Sequence, residues 1–272
     1  MAFHTFPPPV ALLDVVETFY TVESGSDKAL RSFNTVADGL PGLMVRLPGG
    51  STLVDSDHGA MAQAFIYGQA TTCRTLTAQG SLHALGIFFK PHALHSVFAL
   101  NANELTDACF DLANTGDGIG RVVCDQLAKA TTTEACIEML TSYLVLMAER
   151  NSPQRDEQII SSVQAIVEAH GDVAVHAIAQ KVGLSERTLE RRFKRTVGLT
   201  PRLFARIRRF QRTLHLLRSG EYTKLSDIAY ASDYADQSHY IRSFKEFTGI
   251  SPLEFRRDGN EVIENFLELP PE

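Results

Sequence analysis

The sequence predicts an α+β chain: an N-terminal small β-barrel or sandwich with trailing helices, then an all-α domain of two helix-turn-helix units joined by a long helix. Three observations carry this. Short β-rich runs alternate with Gly and Pro punctuation over residues 1–90. A segment of the second half repeats with a period of 50 to 51 residues. Charge also changes sign between the halves, and 272 residues fit two domains better than one.

In the first half the runs at 43–47, 51–55, 64–67, 74–77 and 82–89 are separated by Pro48-Gly49-Gly50, Gly68 and Gln79-Gly80. A small barrel or sandwich is the natural closure for strands this short. Phe65, Tyr67, Phe88 and Phe89 then read as barrel core in preference to a ligand cage. After Pro91 the pattern turns helical, over 93–100, 118–129 and 132–149, with Thr131 and Glu134 spaced as a capping box for the last helix. Ile137, Leu140, Tyr143, Leu144 and Met147 form an apolar stripe on it. That stripe suits packing inside the domain and pairing between two subunits equally.

Residues 1–152 hold 8 Lys and Arg against 15 Asp and Glu, net −7; residues 153–258 hold 18 against 13, net +5; residues 259–272 hold none against 4, net −4. The division is therefore an N-terminal sensing or assembly domain (1–152), a basic domain (153–258) and an acidic tail (259–272), with Asn151-Ser152-Pro153-Gln154 as linker. Only the middle segment has the charge to meet a polyanion.

The repeat is the most informative feature. Ile178-Ala179 recurs as Ile228-Ala229, and Arg191, Phe193, Lys194, Gly198, Pro201 and Phe204 recur as Arg242, Phe244, Lys245, Gly249, Pro252 and Phe255. Each copy reads as helix, tight turn, helix: Gly183 turns the first and Ser185 caps its second helix, while Asp233-Tyr234-Ala235 and Asp236 do the same in the second. Leu189 with Phe193, and Tyr240 with Phe244, mark the buried stripes. Arg187, Glu190, Arg191 and Lys194 face outward in the first copy, and Gln237, Ser238, His239, Arg242 and Lys245 in the second. A short helix with such a face fits the major groove of double-stranded DNA, where Arg pairs with guanine and Gln with adenine. The intervening helix, 201–218, spans roughly 27 Å, near the ~34 Å turn of DNA, so both faces can meet successive grooves. Of its Arg202, Arg206, Arg208, Arg209 and Arg212, most are expected to be solvated or paired inside the domain.

The stretches Ser226-Asp227-Ile228-Ala229-Tyr230, Asp236 to Lys245 and Thr248 to Arg257, with Gly183-Leu184-Ser185 to Phe193-Lys194 and Pro201, resemble the AraC/XylS type of bacterial transcription regulators over residues 159–257. The resemblance implies two helix-turn-helix modules contacting DNA in adjacent major grooves, with Arg187, Glu190 and Arg191 of the first and Gln237, Ser238, His239 and Arg242 of the second facing bases. It also implies a sequence-specific regulator of transcription. Asp233 stands where the family usually has Gly, and Thr213 where it has Ala. Leu47-Pro48-Gly49-Gly50, Tyr67-Gly68, Gly86 to Pro91 and Asn103 to Asp107 resemble an uncharacterised N-terminal domain of some AraC-type regulators, although His92 replaces its usual Gly. Implied partners are double-stranded DNA, a small-molecule effector of unknown site, RNA polymerase and a second copy of the chain.

No cofactor, metal or catalytic residue is expected. His58, His83, His92 and His95 lack the spacing of a metal set, and no nucleophile elbow, phosphate loop or paired-cysteine motif occurs. The four scattered cysteines and the absence of a long apolar run point to a cytoplasmic chain without membrane contact. Two alternatives stand beside the regulator: a metal-dependent small-molecule enzyme or ligand-binding protein in the β domain with secondary DNA binding, and an adaptor whose basic half binds acidic partners.

Overall fold

The computed structural model describes residues 2–24, 30–116, 118–220 and 222–257; the acidic tail lies outside the described residues. The strands are β1 (Ala2–Phe6), β2 (Val16–Glu23), β3 (Leu30–Thr35), β4 (Gly42–Arg46), β5 (Leu53–Asp55), β6 (Gly59–Ala60), β7 (Ala64–Tyr67), β8 (Arg74–Gln79), β9 (His83–Phe89) and β10 (Cys109–Asp111). Helix α1 (Ala93–Phe98) precedes β10, and α2 (Ile119–Leu127) and α3 (Thr133–Arg150) follow it. One sheet has the order β1-β2-β9-β4-β7-β10 and the other β3-β8-β5-β6. Among the described residues no ladder joins the two, so they form an open sandwich; the barrel alternative does not hold.

Alternation along the central strands explains the layering. Leu43 and Val45 of β4, Ala64 and Ile66 of β7, and Leu85, Ile87 and Phe89 of β9 share a core with α1, α2 and α3. Met44, Phe65, Ala84 and Phe88, their immediate neighbours, share another core with Leu53 and Ala78 of the smaller sheet. The six-stranded sheet is therefore covered on both faces, as period-two side chains require. In β2 a register shift between Val16 and Thr18 resets the phase, so Val16 and Phe19 join one core while Tyr20 and Val22 join the other.

Two glycines make room for two tyrosines. Tyr20 is paired with Gly86, and Tyr67 with Gly42. A methyl at Gly86 would stand 2.0 Å from the Tyr20 ring, and one at Gly42 would stand 2.1 Å from the Tyr67 hydroxyl. Gly86→Ala is expected to drive the Tyr20 ring out of its seat and to cost about 1–3 kcal/mol, the range for overpacking a core. Urea denaturation checks this; an unchanged midpoint would show that Tyr20 yields freely.

The apolar stripe of α3 is consumed within this body: Leu140, Tyr143, Leu144 and Met147 are buried and Ile137 packs against the same core. Its cap is Thr132, whose side chain accepts from the Ala135 N–H at 3.2 Å, not Thr131. Thr132 has the extended backbone that an N-cap requires, one residue later than the box spacing implied.

The second part is helical: α4 (Glu157–Glu168), α5 (Val175–Lys181), α6 (Glu186–Val197), α7 (Pro201–Ser219), α8 (Leu225–Ala231), α9 (Gln237–Thr248) and α10 (Pro252–Arg257). The repeat is structural as well as sequential. Gly198 and Gly249 end α6 and α9 in the left-handed region, and Pro201 and Pro252 open the helices that follow. Gly183 and Asp233 take the equivalent turn position at φ +69° and +55°. Asp233 bears the strain of a side chain in that conformation, with Arg212 3.5 Å from its carboxylate.

Candidate nucleic-acid interface

Ser185 accepts from the Thr188 N–H at 3.3 Å and starts α6; Asp236 accepts from the His239 N–H at 2.7 Å and starts α9. Leu189, Phe193 and Val197 anchor α6 with no exposed surface, and Tyr240, Phe244 and Phe247 anchor α9 likewise. With those faces buried, the 3.6-residue period leaves Arg187, Glu190, Arg191 and Lys194 exposed on α6. It leaves Gln237, Ser238, His239, Arg242 and Lys245 exposed on α9. All nine sequence-predicted positions thus lie on the surface. Among the described residues, Arg187, Arg191, Lys194 and Arg242 are committed to no ion pair, so meeting an anion would not first require breaking one.

The two helices also border one concavity. Glu190 of α6 and His239 of α9 line an open groove of about 730 Å³, together with Arg202, Arg206 and Arg209 of α7 beneath them. Helix α7 runs 19 residues, about 28 Å, which sets the scale of the separation. Its arginines divide by role. Arg206 reaches Glu246 at 2.5 Å, Arg209 reaches Asp172 at 3.5 Å and the Gly171 carbonyl at 3.2 Å, and Arg212 reaches Asp233. Intradomain pairing therefore accounts for these three. Within α6, Arg192 is held by Asp156 at 2.5 Å and Gln158 at 2.8 Å, tying the helix to α4.

Contacts between the two parts of the chain were not legible beforehand. The Thr106 hydroxyl donates to the Gly198 carbonyl at 2.7 Å, at the C-terminal end of α6. Segment 35–40, between β3 and β4, lies along α7: Ala37 is buried in the helical core, Gln211 donates to its carbonyl at 2.5 Å, and Gly39 abuts Phe204, Ile207 and Arg208. These contacts leave the outward faces of α6 and α9 uncovered.

Behind segment 35–40 lies a cavity of about 120 Å³ between the sheets, walled by Tyr20, Phe65, Tyr67 and Phe88, with Asp38 and Gln69, and reached by Gln211, Leu214 and Arg218 of α7. Phe65, Tyr67 and Phe88 are thus cavity wall as well as core; of the four aromatics, Phe89 alone faces the helices. Burial pushes the Asp38 carboxyl up to about 7, against the pull of the Leu40 N–H, which it accepts at 2.9 Å, and of Arg208. It also raises the Tyr20 and Tyr67 hydroxyls, which lie 3.4 Å apart. No signal local to the sequence marked Asp38 or Gln69.

Among the described residues no cluster of three His, Cys, Asp or Glu could hold a metal ion. No helix among them is long and apolar enough to cross a membrane.

Residues 178–258 match a family model described as a helix-turn-helix domain, and residues 4–111 match one described as a domain of unknown function (DUF6597). The HTH-type transcriptional activator RhaS of Escherichia coli (strain SE11) is 33% identical over 130 residues, covering 45% of this chain and 46% of RhaS. The RhaS of Salmonella schwarzengrund (strain CVM19633) is 28% identical over 133 residues, 47% and 48% of the two chains. The chain spans about half the length of the curated relatives it matches. Among solved structures, ToxT from Vibrio cholerae O395 superposes with a TM-score of 0.47 at 14% identity, over 90% of this chain and 98% of that one. An AraC-type transcriptional regulator from Chromobacterium violaceum superposes with a TM-score of 0.35 at 24% identity, over 38% and 91%.

Proposed function

We propose that the chain, whose residues 178–258 match a helix-turn-helix family model and which is similar to RhaS over about half its length, is an AraC/XylS-type, sequence-specific DNA-binding regulator of transcription whose amino-terminal body controls it. The observation that carries the proposal is that α6 and α9 each keep an exposed polar face, and that one residue of each face, Glu190 and His239, borders a shared groove. In this reading Arg187, Glu190 and Arg191 face bases in one major groove, and Gln237, Ser238, His239 and Arg242 face bases in the next. Lys194 and Lys245, in the last turns, meet phosphate. Residues 1–152 form the controlling domain, 153–258 the reading domain and 259–272 an acidic tail. Such a protein works in the cytoplasm, beside RNA polymerase, and needs no cofactor. A second copy, if one binds, uses a surface other than the α3 stripe, which the core already occupies.

Selection of bound sequences from a random duplex pool, followed by footprinting, tests this. The expected result is one preferred sequence, protected over two successive major grooves on the same face. Its affinity should fall steeply with salt, because about 0.9 counterions are released per neutralised phosphate. Equal binding to all sequences would refute it, and so would protection that follows an acidic protein partner in place of DNA.

A further inference from the structure

The structure assigns Thr106 of the amino-terminal body a positioning role: it seats the carboxy-terminal end of α6, the first reading helix, where the matching end of α9 has no such seat among the described residues. The duplication inside the chain supplies the comparison. Gly198 and Gly249 end α6 and α9 in the same left-handed conformation, at φ +95° and +79°. Gly198 is buried, and a methyl there would stand 2.9 Å from both the Ala102 carbonyl and the Thr106 hydroxyl. Gly249 is exposed, and a methyl there would meet nothing within 4 Å. Two copies of one helix end thus differ in a single respect: the first abuts the amino-terminal body and the second faces open space.

Thr106 is itself held in place. Its hydroxyl donates to the Gly198 carbonyl at 2.7 Å. On one side of it, Asp107 accepts from the Thr71 N–H at 2.8 Å and donates its own N–H to the Gln69 carbonyl at 2.9 Å. On the other, Leu105 lies so close to Gly68 that a methyl on the glycine would stand 2.1 Å from the Leu105 carbonyl. The Tyr67-Gly68 step and the Asn103 to Asp107 stretch, two separate marks in the sequence, are therefore one device: the first fixes the second, and the second presents Thr106. Helix α1 and the turn Ala102–Leu105 also pack on α6. The consequence for DNA rests on the regulator reading. Arg187 lies eleven residues before Gly198, about 16 Å along the axis. A pivot of about 5° at that end shifts Arg187 by ~1.4 Å, enough to spoil a bidentate pair. The seat therefore bears on the base preference of the first module and not on that of the second.

Hydrogen exchange of the full chain without DNA reads the seating, and binding to the selected duplex reads its consequence. Thr106→Val removes the donor and keeps the branched shape. In it the amides of 197–199 should exchange roughly two- to tenfold faster, the span of one hydrogen bond, while those of 248–250 stay unchanged. On DNA the same variant should cut the preference for the selected base pairs in the groove faced by α6 by a similar factor and leave the preference in the other groove intact. Thr106→Ser should restore both readouts. Gly198→Ala should act as Thr106→Val does, whereas Gly249→Ala, with comparable backbone strain against open space, should shift neither preference. The assignment is overturned if 197–199 exchange no faster in Thr106→Val, if Thr106→Ser fails to restore them, if both grooves lose preference alike, or if Gly249→Ala matches Gly198→Ala. Faster exchange in a chain that selects no DNA sequence would leave the seating standing and sink the regulator reading; a selected sequence with unaltered exchange would do the reverse.

Discussion

Phe210→Ala is expected to lower stability by about 3–5 kcal/mol, the range for truncating a buried phenylalanine, and to disable the second module selectively. Phe210 sits on α7 with no exposed surface, its ring 5.5 Å from Phe244 and 5.1 Å from Phe247, both on the inner face of α9. The cluster continues from Phe244 to Tyr240 at 5.8 Å and to Phe255 at 5.5 Å. Truncation therefore opens a void at the point where α9 is fastened to the helix that sets its distance from α6. The first module is held otherwise, by Phe193 against Phe204 at 5.7 Å, by Arg192 on Asp156, and by Thr106 on the Gly198 carbonyl. A domain stable by about 5–15 kcal/mol survives such a loss only in part. Urea denaturation should show the shift, and the footprint should shrink to one major groove. A two-groove footprint in a destabilised chain would mean that the Phe210 contact does not fix the second reading helix.

The helical half was legible because its signals are local. Caps at Ser185 and Asp236, glycine stops at 198 and 249, and apolar spacings of three and four all lie within one helix length, and the repeat doubled each of them. The β half was legible only where a strand alternates between clear turns, as at β7 and β9. Strand β2 is buried on both faces with a register shift inside it, which erases period two. Strand β10 has three residues and exists because β7 offers an edge. The cavity was hidden for a related reason. It depends on Gly86 lying opposite Tyr20 and on Gly42 lying opposite Tyr67, pairings set by a register that only the folded sheet defines. Phe65, Tyr67 and Phe88 look the same in sequence whether they fill space or line it. Segment 35–40 showed no sign of docking on α7, because the contact rests on one small side chain, Ala37, a glycine and a backbone carbonyl, none of which forms a periodic pattern.

Arg242→Ala is expected to weaken binding to the selected sequence by about 1–3 kcal/mol, or roughly 5- to 150-fold, and to relax the preference at one base pair. Random duplex should lose much less. The reasoning is positional. Arg242 stands one turn beyond the capped start of α9, exposed, with no ion pair among the described residues and with Tyr240 and Phe244 buried on the opposite side. Its guanidinium can therefore present two donors to a guanine edge at little cost in broken contacts. Lys245 is the internal comparison, because it lies in the last turn, where a helix entered by its N-terminus is closer to the backbone than to the bases. Lys245→Ala should weaken specific and random duplex alike and lower the salt slope by about one. Binding isotherms for both variants on both duplexes, across salt, give four slopes. If Arg242→Ala behaved as Lys245→Ala does, the second helix would be holding the phosphate backbone without reading sequence, and specificity would have to come from α6 alone.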